Sequence, residues 1–345
     1  MHCHLLIPDL FPTDLLAANA ARDLRMPALE TLLARGTQQI SPDEGMEAWL
    51  CRTFNINQQQ DWPIAPITLV ADGGDVGDGY WLRADPVHLR INRAQVILAD
   101  SGTFAISQSE AEQLTDSLNR HFSADGILIY PLRPDRWYLK LAQTPVMHTH
   151  ALPEVAGKHI DAYLPQGVDG MHWHAVFNEI QMLFHEHPVN QAREARGDLP
   201  INSIWLWGGG TTPDNPRSTF TQVWSRDYFS LALAQAAHIP HATLPLSAKE
   251  WLTEKSAGNG LLVLDNLRGA TQYGDILGWR EAMQMLERVW FKPLKVALRR
   301  REITQLTIHA VGTENTRVFT VQAHDLWKVW RRKKTLSHYL TSSSN

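Results

Sequence analysis

Short apolar runs alternate along this chain with longer segments of helical period, and few architectures accept that pattern. The runs are Leu5-Leu-Ile7, Ile67-Thr-Leu-Val70, Ile204-Trp-Leu-Trp207, Leu261-Leu-Val-Leu264 and Leu306-Thr-Ile308. None follows the strict period of two of a half-exposed strand, so each suits a strand buried on both faces. Pro27-Ala-Leu-Glu-Thr-Leu-Leu-Ala-Arg35 has Pro in its first turn and stops at Gly36, which predicts a helix. Glu281 to Arg301 predicts another, interrupted at Pro293. Strand, helix, strand in this order predicts an α/β fold: a mostly parallel sheet with helices on both faces.

The chain has 345 residues, more than one ordinary core holds, so two domains are expected. The middle reads differently from its flanks. Ser107-Gln-Ser-Glu110 is a capping box, followed by an apolar stripe at Leu114, Leu118 and Phe122. Strand-like runs over 126–130 and 136–141 flank the turn-rich Pro131-Leu-Arg-Pro-Asp135. A helix is predicted from a cap at Asp169 to a stop at Pro188. The block 83–200 therefore reads as an inserted α+β domain. Segments 1–82 and 201–335 then form one discontinuous α/β domain, and the serine-rich end, 336–345, a disordered tail.

A net charge of −4 supplies no global field for nucleic acid or an anionic membrane, and neither partner is expected. No apolar stretch approaches the ~20 residues that span a bilayer, and no signal peptide is expected from the N-terminal pattern. The cytoplasm is the expected location. Two cysteines build neither a disulfide framework nor a four-ligand zinc site. Lys328, Arg331, Arg332, Lys333 and Lys334 form a basic cluster, read first as a solvated helix end, with a nucleic-acid or phosphate-binding patch as the alternative.

Two constellations are candidates for binding. Arg83, Asp85, His88 and Arg90 lie together near the domain boundary, where guanidinium forks suit carboxylate or phosphate and where ordinary Arg–Asp ion pairs are the alternative. His187, Asn190 and Arg193 stand in a polar loop ahead of a buried strand that ends in Gly208, Gly209 and Gly210. Three glycines admit an anion to the backbone, or serve a tight turn. The many close histidine pairs match no zinc pattern, and Cys51 sits in an apolar helix as inert core.

The string His187-Pro-Val-Asn190-x-x-Arg193-x-x-x-Gly197-x-x-Pro-x-Asn202 resembles archaeal-type cofactor-independent phosphoglycerate mutases, of the alkaline phosphatase superfamily. Pro27 to Gly36 is similar to an early helix of that superfamily, and Ser109-Glu-Ala-Glu-Gln-Leu114 to one in the mutase's inserted domain. Tyr80-Trp-Leu-Arg-Ala-Asp-Pro-Val-His-Leu89 with Ile204-Trp-Leu-Trp-Gly-Gly-Gly210 resembles more closely the bacterial RpfE-type regulatory proteins, a group often labelled phosphoglycerate mutase-like.

The mutase resemblance implies two divalent metals, held by Asp and His at strand ends, that activate a Ser or Thr nucleophile. It places Asp9, Asp265 and Asp275 among the ligands. It also puts Gln272 and Tyr273 where histidine is wanted, and Gly45 or Glu44 where the nucleophile belongs. After Leu306-Thr-Ile-His309 no Asp-His pair follows, and His324 is the one remaining late candidate. The expected function is therefore a non-catalytic regulatory or ligand-binding protein on a mutase-like scaffold. It would need no cofactor, and its partners would be a small phosphorylated anion and other proteins. The alternative is a Mn²⁺- or Zn²⁺-dependent phosphomutase or phosphatase with a rearranged site, using a hidden nucleophile such as Thr211 or Thr212.

Overall fold

A computed structural model describes residues 1–12, 21, 23–42, 45–92, 95–254, 258–312 and 315–341. In chain order its strands are β1 (His2–Pro8), β2 (Thr37–Pro42), β3 (Tyr80–Asn92), β4 (Gln95–Ala99), β5 (Leu128–Arg133), β6 (Arg136–Leu141), β7 (Ser203–Gly210), β8 (Gln222–Ser225), β9 (His241–Thr243), β10 (Asn259–Val263), β11 (Gln305–Val311) and β12 (Asn315–Gln322). The chain forms two compact units: Met1–Asn55 with Pro216–Asn345, and Ile56–Asn215.

The first unit is built on a sheet of order β2-β12-β11-β1-β10-β8-β9. β1 runs parallel to β10 and β11, β10 to β8, and β8 to β9. Only β12 and β2 join antiparallel. The mostly parallel α/β sheet read from the sequence is the one observed. Leu5, Leu6 and Ile7 are fully buried, so β1 needs apolar side chains on both faces. Cys3, Leu5 and Ile7 share one core with Trp224, Trp251, Trp290 and Phe291. The expected interrupted helix is present: Ile276–Leu286, a π turn at Glu287–Phe291, then Lys292–Arg299 with Pro293 in its first turn. The wider turn accommodates a proline that lacks an amide proton.

The C-terminal reading needs correction. Leu336–Thr341 is a short helix whose Leu336, Tyr339 and Leu340 are buried in the same core. Its amide at Leu336 donates to Glu30, and its Tyr339 carbonyl accepts from Arg317. Apolar side chains at i, i+3 and i+4 anchor this helix. Residues 342–345 of the expected tail lie outside the described residues.

The second unit carries an antiparallel sheet of order β4-β3-β6-β5, with β7 also paired to β3. The helix Gln108–His121 opens with the expected capping box, closed in both directions between Ser107 and Glu110. Four expectations change here. The run at 67–70 belongs to the helix Ile64–Ala71, since a four-residue apolar run does not distinguish strand from buried helix. Ile204 to Trp207 is a strand, but of this antiparallel sheet. Pro188 starts the next helix, Pro188–Ala195, rather than only stopping Gly170–His185. The unit borders fall at Asn55/Ile56 and Asn215/Pro216, not at 82/83 and 200/201, because β3 and β7 pair with each other and cannot be divided between units.

Candidate functional site

At the carboxyl edge of the parallel sheet, β1, β8 and β10 deliver charged residues directly after their last buried positions. Asp9 follows β1 with φ 57°, its amide donating to Val311 and its carbonyl accepting from Trp279 Nε1. Asp227 follows β8 and caps the helix Tyr228–Ala236, accepting from the Ser230 amide at 2.7 Å and hydroxyl at 2.6 Å. Asp265 follows β10. Glu47 comes from the helix Met46–Thr53, and Arg268 opens the helix Arg268–Gln272, fixed by the fully buried Leu267 one residue earlier.

Arg268 organises this edge. Its Nη2 donates to Glu47 Oε1 at 2.6 Å, and its Nη1 lies 3.7 Å from Met46 Sδ. Burial works against the guanidinium charge. The fields of Glu47, Asp227 and Asp9 outweigh it and hold the group above its ordinary value. Burial pushes the Asp265 carboxyl up, against an opposing pull from Arg268 and Arg226. Burial also raises Asp227, although its bonds to Ser230 and the Arg268 charge favour the anion.

Among the described residues, no three His, Cys, Asp or Glu side chains stand together as a metal-holding group. A fixed cation, Arg268, pairs with Glu47 and feels the fields of Asp227 and Asp9. Asp275, one of the three expected ligands, is exposed and caps the helix Ile276–Leu286 through the Gly278 amide at 2.9 Å. Asp9 and Asp265 share the Arg268 field but form no ligand set. His324 is an exposed neighbour of Asp325, 3.4 Å away. At the expected nucleophile position Gly45 has φ 96° and caps the helix Met46–Thr53 without a side chain. The other candidate there, Glu44, lies outside the described residues.

On neighbouring strands of the same sheet, His4 Nδ1 and His309 Nε2 are 3.1 Å apart. The Trp49 and Phe220 rings pack against them. Burial lowers His309 to about 3 and His4 to about 4, each histidine opposing charge on the other or on its neighbours. The buried Nδ1 of His309 has no hydrogen-bond partner among the described residues.

In the second unit, most of the residues expected to bind a ligand make internal hydrogen bonds or ion pairs. Asn190 is 2% exposed. Its amide donates to the Phe184 and Ile201 carbonyls, both at 2.7 Å, and its oxygen accepts from the Ile201 amide at 2.8 Å. Arg193, 1% exposed, donates to the carbonyls of Leu199 and Ala105 and pairs with Glu110. His187 caps the helix Pro188–Ala195 through the Val189 amide and meets Ser117 Oγ at 2.9 Å. Arg83 and Asp85 form a buried bidentate pair at 2.8–3.0 Å, with Arg83 between the Tyr138 and Trp207 rings. Asp85 also accepts from Trp207 Nε1 and the Trp137 amide. His88 Nδ1 lies 2.8 Å from the Pro200 carbonyl, and Arg90 is exposed near the end of β3. The glycines end β7 rather than forming an anion nest. A Cβ at Gly209 would collide with the Tyr80 hydroxyl, and one at Gly210 would meet Pro63 at 2.6 Å. Thr211 is tied to Gln59 through its amide and hydroxyl.

Sequence reasoning missed Glu47, Asp227 and Arg268. Their signal was positional: Glu47 and Arg268 lie inside segments inspected for a nucleophile and a histidine, but as residue types the mutase reading does not seek.

No protein-family model matches the chain. It is similar to the 2,3-bisphosphoglycerate-independent phosphoglycerate mutase of Methanosarcina mazei, 34% identical over 140 residues, which is 39% of this chain and 35% of that protein. The enzyme of the same description from Methanosarcina acetivorans is 31% identical over 140 residues, with the same coverage of 39% and 35%. The match thus spans about a third of the length of these curated relatives. The solved structure of the PH0037 protein from Pyrococcus horikoshii shares the fold, with a TM-score of 0.51, 12% identity, and coverage of 93% of this chain and 87% of that one.

Proposed function

We propose that this chain is a non-catalytic, RpfE-type regulatory or ligand-binding protein on a phosphoglycerate mutase-like scaffold. One observation carries the reading: Arg268 stands among Glu47, Asp227, Asp9 and Asp265, at the strand ends where the resemblance implies two metals. A guanidinium compensates carboxylates permanently. It opens no coordination position and generates no metal-bound nucleophile. The side-chain-free Gly45 at the helix start supports the same reading.

A small phosphorylated anion is the ligand class we assign to this edge. The open end of a parallel sheet is where such folds bind ligands, and Arg226 is exposed there. The protein partner belongs to the same proposal. The test is turnover of 2- and 3-phosphoglycerate, and of a generic aryl phosphate, with Mn²⁺ or Zn²⁺ supplied. No turnover above a heat-treated sample is expected. Sustained turnover that Asp9→Ala or Asp265→Ala abolishes would overturn the reading.

A further inference from the structure

The basic cluster near the C-terminus is not a helix end. Lys328 to Lys334 run through a turn and extended chain between the 3₁₀ turn Ala323–Trp327 and the helix Leu336–Thr341. Three large apolar side chains in this segment face solvent: Trp327 is 76%, Val329 73% and Trp330 73% exposed. Single exposed apolar residues are ordinary, whereas three within four positions are not.

The cations that follow converge on a cavity of about 450 Å³, lined by Arg331, Arg332 and Lys334 together with Thr37, Gln38 and Tyr339. Arg331 is aimed by the carbonyls of Arg35 and Gly36, at 3.2 and 2.9 Å. The positive field extends onto the helix Lys292–Arg299: Lys295 is held below its ordinary value first by burial, then by Lys333, Arg299 and Lys292, with Glu287 opposing. The nearby carboxylates are engaged internally. Asp325 pairs with Lys328, Glu30 accepts from the Leu336 amide, and Glu287 accepts from the amides of Ala28 and Leu29. On a chain whose net charge is −4, this is a local concentration of uncompensated cations.

We infer that this face attaches to an anionic phospholipid bilayer. Tryptophan suits the headgroup boundary, with its ring in the apolar layer and its N–H among the headgroups. Arg331, Arg332, Lys333 and Lys334 meet the lipid phosphates, and the cavity receives one phosphorylated headgroup. Val329 separates this surface from a nucleic-acid platform, because an aliphatic side chain adds nothing to base stacking and gains from leaving water at a bilayer. Attachment of this kind needs no spanning segment, and among the described residues no helix is long and apolar enough to cross a membrane. The inference is independent of whether the carboxyl edge of the sheet is catalytic.

The experiment is co-sedimentation of the full chain with vesicles of phosphatidylcholine alone, or of phosphatidylcholine and phosphatidylserine, at low and at raised salt. Binding to the serine-containing vesicles, weakened by salt, is the expected result. Trp327→Ala with Trp330→Ala should lower it about tenfold or more. Arg332→Glu with Lys333→Glu should lower it at least about 30-fold. All four side chains are exposed, so circular dichroism should show these variants folded. No binding to anionic vesicles at low salt would overturn the inference. So would binding that neither pair changes, or tighter binding of a single-stranded oligonucleotide.

Discussion

Arg268 Nη2 donates to Glu47 Oε1 at 2.6 Å, joining the start of one helix to the first turn of another at the open end of the parallel sheet. Both side chains are largely withdrawn from water, 18% and 12% exposed. Removing one partner of such a pair leaves an uncompensated charge. Arg268→Ala is expected to cost about 3–5 kcal/mol in denaturant unfolding. Arg268→Lys keeps the charge but loses the planar fork, and should cost less. Added Mn²⁺ should restore part of the stability of Arg268→Ala and leave the parent unchanged. A neutral Arg268→Ala with no metal response would remove the guanidinium from its assigned role.

Asn190 and Arg193 are expected to report on stability and not on ligand affinity. Asn190→Ala deletes three internal hydrogen bonds and strands the Ile201 amide. A loss of about 3 kcal/mol in chemical unfolding follows. A variant of unchanged stability with weakened binding of a phosphorylated ligand would restore the binding role first read from the sequence.

Asp85 serves Arg83, Trp207 Nε1 and the Trp137 amide together. Asp85→Ala therefore strands three buried donors and should cost about 3–5 kcal/mol. Arg83→Met should cost less, because the carboxylate keeps its two other donors. Equal costs in thermal or denaturant unfolding would argue against a shared carboxylate as the centre of this network.

The His4–His309 pair makes stability depend on pH. Both groups lie below the ordinary histidine value in the folded state, at about 4 and about 3. The unfolded chain therefore binds the extra protons first. The contribution is full above pH ~6.5 and is lost as pH falls through about 4 for His4 and about 3 for His309, with a slope of up to about 1.4 kcal/mol per pH unit for each histidine. His309→Asn should flatten the stability profile between about pH 6.5 and 4. A parent profile flat over that window would contradict the burial assigned to the pair.

The sequence made the frame of the first unit legible where burial on both faces leaves a continuous apolar run, as in β1, β10 and β11. Caps and stops marked the helices Pro27–Arg35 and Gln108–His121. Ile67-Thr-Leu-Val70 misled because four apolar residues fit a strand or a buried helix equally well. β8 and β9 are too short, at four and three residues, to carry a pattern. The segment from Asn190 to Arg193, read as a loop and folded as a helix, displayed its donors in sequence, but not that their acceptors are the protein's own carbonyls. The Arg268 cluster was the least legible. It joins positions 47, 227 and 268, and only the packed sheet brings their charges together.

The central claim is that a fixed guanidinium, not divalent metal, compensates the carboxylates at the sheet's open end. Elemental analysis of the purified chain after loading with Mn²⁺ or Zn²⁺ and desalting tests it most directly. Bound metal well below one equivalent is the predicted result. About two equivalents, lost on Asp9→Ala or Asp265→Ala, would contradict it and return the chain to the metal-dependent phosphomutases.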